Sequence, residues 1–115
     1  MLRPAVVAIF VSMLAVPARA AVDEAALEML AEASALAKRC KDLKGDWGVV
    51  RAFAKRIGID EADLRGDGQV NDFLTMREAE FEAAYASLSV DGACAKARYF
   101  YGPQGTKVPG LLKKP

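Results

Sequence analysis

Apolar and polar positions along this chain repeat mainly with the period of a helix. Met29, Ala33, Leu36, Cys40 and Leu43 recur at steps of four and three, which predicts a helix from Asp23 to Leu43 with one apolar face. Asp23, Glu24, Glu28 and Glu32 fill its first half, while Lys38, Arg39, Lys41 and Lys44 fill its end. That order complements the helix dipole, and Gly45 supplies a stop. Asp46 suits the N-cap of a second helix to about Ile57, with Trp47, Val50, Phe53, Ala54 and Ile57 as its apolar stripe. Asp60 can cap one further turn through Leu64 before Gly66, Asp67 and Gly68 force a loop.

A third long helix is predicted from Asn71 or Asp72 to Leu88, with Leu74, Phe81 and Leu88 seven apart. Arg77 and Glu78 interrupt its stripe. Asp91 is read as the cap of a fourth helix from Ala93 to Tyr101, with Cys94 in its first turn. Gly102 and Pro103 end it, because glycine suits the position past a helix and proline cannot continue one. Residues 102–115 then hold three Gly, three Pro and three Lys, and read as an extended tail or irregular cover, not a further helix. The fold class expected is all-α: a small bundle of about four helices over residues 21–101, one disulfide, and an extended C-terminal tail.

The first twenty residues follow a different pattern. Arg3 precedes an apolar run from Ala5 to Val16, and Ala18 and Ala20 place small residues at −3 and −1 of a cut after Ala20. This is the layout of a secretory signal peptide, and the run is too short for a spanning helix, which needs about 20 apolar residues. Residues 1–20 are therefore expected to be removed, placing the protein in the periplasm with no transmembrane segment after signal removal.

Composition narrows the chemistry. The chain carries 16 Lys and Arg, 15 Asp and Glu, and no His. Arg3 and Arg19 fall in the leader, which leaves 14 basic against 15 acidic residues. That balance speaks against nucleic acid as a partner. The missing imidazole removes Ser-His, Cys-His and most zinc chemistry. Cys40 and Cys94 are the only cysteines, and an even count in an exported small domain points to one structural bridge. A redox pair is usually close in sequence, and these two are not.

Four groupings invite a functional reading. Asp63, Asp67, Gly68 and Asn71 match an EF-hand calcium loop at positions one, five, six and nine, with Val70 at eight. Arg65 and Leu74 stand where two oxygen ligands are needed, so the segment reads as a capped turn and no metal is expected. Tyr99, Phe100 and Tyr101 beside Trp47 offer a stacking surface, although aromatics mainly supply core area. Arg51, Lys55, Arg56, Lys107, Lys113 and Lys114 form a candidate basic face opposite Glu78, Glu80 and Glu82, although charged helix faces are usually just the solvated side. Leu111 and Leu112 flanked by Lys107, Lys113 and Lys114 resemble a sticky end, which makes these five residues the expected partner-binding set. On this reading, removing residues after Gly105 leaves helical content nearly unchanged and weakens partner binding.

No nucleophile motif, phosphate loop or cofactor signature is present, so neither catalysis nor a cofactor is expected. A leader, a short helical chain and one widely spaced disulfide together resemble the small acid-activated periplasmic chaperones. The first Cys, near the end of a long first helix, departs from that outline. The resemblance implies opening in acid. The expected function is a non-enzymatic, exported interaction protein that binds another periplasmic or envelope protein. The alternatives are an acid-stress chaperone and an inhibitor or immunity protein for an envelope-degrading enzyme.

Overall fold

The computed structural model describes residues 23–66 and 68–115. The leader expectation falls on residues 1–20, and Asp67 of the calcium-like loop also lies outside the described residues. The described chain forms five helices and one two-stranded ribbon: α1 Glu24–Arg39, β1 Lys44–Gly45, α2 Trp47–Arg56, α3 Glu61–Arg65, α4 Gln69–Ala84, α5 Val90–Tyr101 and β2 Leu112–Lys113. It is a small helical bundle with one disulfide, joining Cys40 to Cys94 across a Cα–Cα distance of 5.0 Å.

Local chemistry explains most of the boundaries. The Asp23 carboxylate accepts from Ala26 N, and the Asp46 carboxylate from Gly48 N and Val49 N, so each cap satisfies orphan amides of its helix. At α3 the Asp63 carboxylate accepts from Asp60 N at 3.1 Å. Helix α1 stops at Arg39 instead of Leu43 because Cys40 turns to extended backbone, and the segment after it is drawn into the ribbon. Helix α5 begins earlier than expected. Ser89, not Asp91, is its N-cap, accepting from Gly92 N at 3.0 Å, so Cys94 sits in the second turn. Helix α4 ends at Ala84, four residues before the expected Leu88.

Residues 102–115 form the irregular cover and not the extended tail. Thr106 N donates to Tyr99 O, Lys107 N to Phe100 O and Gly110 N to Gly102 O, so the segment folds back over the end of α5. The close approach at Gly105 leaves no room for a side chain, since a Cβ there would lie 2.4 Å from the Phe100 carbonyl oxygen. Gly110, at φ +77°, makes the last turn with a backbone that favours glycine. β2 then pairs antiparallel with β1, Lys44 opposite Lys113 and Gly45 opposite Leu112.

The main core forms where these pieces meet. Leu36, Cys40 and Leu43 pack with Phe53 of α2, with Ala93, Cys94, Ala97 and Tyr101 of α5, and with Val108, Leu111 and Leu112. A smaller cluster joins Leu27, Ala54 and Ile59, flanked by Leu64, Val70, Phe73 and Leu74. Helix α1 serves both clusters. Helix α4 is different: none of its residues is fully buried.

Candidate functional site

A cleft of about 340 Å³ lies between α1, α2, α4 and the ribbon, and no residue of α4 is fully buried. That is at the small end of the range for ligand pockets, roughly 300–1,000 Å³. Its apolar lining includes Leu30, Ala33, Ala37, Val50, Leu74 and Leu112. Trp47 stands at its edge, 39% exposed, with the Arg65 guanidinium 5.0 Å from the centre of its ring. Polar groups come from α1 and α4: Ser34, Asn71, Thr75 and Glu78.

Those polar groups also hold α4 in place. The Ser34 hydroxyl donates to Glu78 Oε2, and Lys38 Nζ lies 2.5 Å from Glu78 Oε1 and 3.5 Å from Glu82 Oε1. Arg77 pairs with Glu28 of α1 at 2.7 Å and with Glu80 of its own helix at 2.5 Å. The α1–α4 seam thus combines partly exposed ion pairs, which contribute about 0–1 kcal/mol each, with the packing of Val70, Phe73 and Leu74 on the cluster around Leu27. Chemically, the Ser34–Glu78–Lys38 chain is poorly suited to nucleophilic catalysis. The hydrogen bond and charge of Glu78 raise the Lys38 pKa above its ordinary value, so no neutral amine is available to take the serine proton.

A second polar centre lies inside the fold. Glu32 is 4% exposed, and its carboxylate accepts from the Tyr85 hydroxyl, from the Tyr101 hydroxyl at 2.5 Å and from Lys107 Nζ at 2.7 Å. Burial alone raises a carboxyl pKa. Here the hydrogen bonds from Lys107, Tyr101 and Tyr85 outweigh it and hold Glu32 below its ordinary value. Burial, then the bond to Glu32, pushes both phenols well above theirs. Lys107 Nζ also lies 4.1 Å from the centre of the Phe100 ring, a cation–π contact. All four polar partners are used within the fold, so the centre fastens the returning segment to α1 and α5.

The structure distributes the sequence candidates as follows. Leu111 and Leu112, read as a sticky end, are 1% and 2% exposed and belong to the core, because the ribbon turns them inward. Lys107 is taken by Glu32, and Lys113 lies 3.7 Å from Asp46; of the three lysines only Lys114 is without an ion pair among the described residues. Arg51 pairs with Glu61, and Arg56 covers Phe53. Tyr101 is fully buried while Tyr99 is 64% exposed, and none of the three consecutive aromatics lines the cleft with Trp47. From the calcium-like loop, Asn71 and Leu74 line the cleft and Asp63 serves as a helix cap.

The sequence reading missed the cleft and Glu32. The clue to Glu32 was its place four residues before Leu36, on the edge of the apolar stripe. The Asp42 carboxylate and the two bridged sulfurs lie within 4.8 Å of one another, but a disulfide offers a metal no thiolate. No helix among the described residues is long and apolar enough to cross a membrane. Comparison of the chain with protein-family models, with curated proteins and with solved structures gave no match.

Proposed function

We propose that this chain is an exported, non-enzymatic binding protein that receives an apolar group of a partner protein in the cleft between α1, α2, α4 and the ribbon. The observation that carries this reading is the cleft itself: an apolar lining, an exposed indole at its edge, and one wall, α4, with no fully buried residue. Export is supported by the leader-like first twenty residues and by a disulfide of the kind kept in oxidising compartments. The interaction reading thus moves from the C-terminal segment to the cleft.

The test is capture from periplasmic extract on the immobilised protein beside a variant with the cleft filled, Ala37→Phe. One stoichiometric partner, retained by the natural chain and lost by the filled variant at unchanged helicity, is the expected result. Equal retention by both would remove the cleft from the account.

A second reading, the acid-stress chaperone, draws on the seam. Glu28, Glu78 and Glu82 link α4 to α1 through ion pairs to Arg77 and Lys38. Suppression of client aggregation at about pH 2–3, where ordinary carboxylates are protonated, would favour it. Opening without protection would rule it out.

A further inference from the structure

We propose that Lys44 and Lys113 on the outer face of the ribbon, with Lys41, Arg98 and Lys114 around the concavity beside Leu43, dock on a membrane surface rich in anionic phospholipid. The register sets the polarity of the ribbon. Side chains alternate between the two faces of a strand, and Gly45 opposite Leu112 occupies the inward side, where Leu112 is buried and lines the cleft. Lys44 and Lys113, the other cross-strand pair, therefore share the outward side, and both are exposed.

Like charges placed directly opposite one another destabilise a two-stranded pairing. Lys113 is partly offset by Asp46 at 3.7 Å. Lys41, Lys44, Arg98 and Lys114 make no ion pair among the described residues. Helix dipoles account for cations near the ends of α1 and α5, Lys41 and Arg98 among them. They do not account for Lys44 facing Lys113. An external anion does.

Lys41, Arg98 and Lys114 surround a shallow concavity beside Leu43, with Asp42 as the acidic residue in it. All these cations are exposed, so the surface senses density of negative charge and not the shape of one anion. A bilayer presents phosphate in that form, and each lysine held near it strengthens binding about fivefold. The near-neutral chain, with Glu78, Glu80 and Glu82 along α4, does not suit wrapping by a long polyanion. None of these five cations lines the cleft, so this inference stands apart from the binding reading above.

The experiment is co-sedimentation of the disulfide-bonded protein with vesicles. Phosphatidylcholine containing about one third phosphatidylglycerol should retain the protein, pure phosphatidylcholine should not, and salt near 0.5 M should release it. Lys41→Gln with Lys44→Gln should lower partitioning about 30-fold. Lys55→Gln with Arg56→Gln, the same charge change on α2, should leave it within about twofold. Circular dichroism checks the fold, and Lys44→Gln with Lys114→Gln replaces the first pair if that pair loses helicity. Equal retention on both vesicle types would overturn the proposal. So would an equal loss in the ribbon and α2 variants, or binding to a short single-stranded DNA at lower concentration than to vesicles.

Discussion

Lys107 meets Glu32 across 75 positions of sequence, with 2.7 Å between Nζ and Oε1. The contact closes the segment after α5 onto the middle of α1, where the two tyrosine hydroxyls complete the hydrogen bonding of the carboxylate. Removing one member of a buried charge pair leaves the other desolvated and unpaired. Glu32→Gln should therefore cost about 2–3 kcal/mol, lowering Tm by roughly 10–20 °C. The pKa of Glu32 is depressed in the fold, so its contribution is complete above the ordinary carboxyl value and is lost as pH falls through the lower folded one. Chemical denaturation at neutral and acidic pH should show the wild type losing more stability on acidification than Glu32→Gln. An equal loss would mean that Glu32 does not titrate in this way.

The returning segment should be indispensable. Val108, Leu111 and Leu112 are almost fully buried, and burying each is worth about 1.5–3 kcal/mol. Ending the chain after Gly105 removes all three, a loss comparable with the whole stability of a small domain, about 5–15 kcal/mol. The shortened protein should show little cooperative unfolding by circular dichroism. Leu111→Ala alone should cost about 2–5 kcal/mol. A truncated chain that keeps full helicity and a sharp transition would contradict the packing described here.

Cys40 and Cys94 are expected to resist alkylation until a reductant is added, after which mass measurement should show two modified thiols. Their loop spans 54 positions, and closing it is worth about 4 kcal/mol on a chain-entropy account. Cys40→Ala with Cys94→Ala should thus lower Tm strongly. Free thiols in protein recovered from an oxidising compartment would argue against the bridge there.

The ion pairs across the α1–α4 seam should matter less than its packing. Glu78→Gln with Glu82→Gln removes both ion pairs to Lys38, while the disulfide still ties α1 to α5. Ion pairs of this exposure contribute about 0–1 kcal/mol each, so Tm should fall by no more than roughly 10 °C with helicity retained. A larger fall, or loss of helicity, would make Glu78 indispensable to the seating of α4.

What could be read from the sequence was mostly local. Asp46 and Asp60 announced the starts of α2 and α3, and Gly102 announced the end of α5, because caps and stops act through neighbours in the chain. Cys40 and Cys94 were legible as a pair from count and spacing. The C-terminal segment was misread because its Gly, Pro and Lys content resembles that of a free tail, while its order depends on pairing Leu112 with Gly45 and Lys107 with Glu32. Neither contact leaves a periodic signal. The cleft was hidden for a related reason: Asn71 and Thr75 look like ordinary exposed helix positions until α1 is set beside them.

The pairing of β2 with β1 also orders events during synthesis. Residues 44–45 leave the ribosome well before residues 112–113, and until the latter arrive the main core lacks Leu111 and Leu112 and Gly45 lacks its partner. The nascent chain therefore cannot complete its native structure while those residues are still being added. A chain released before those residues are added would lack both the ribbon and part of the main core.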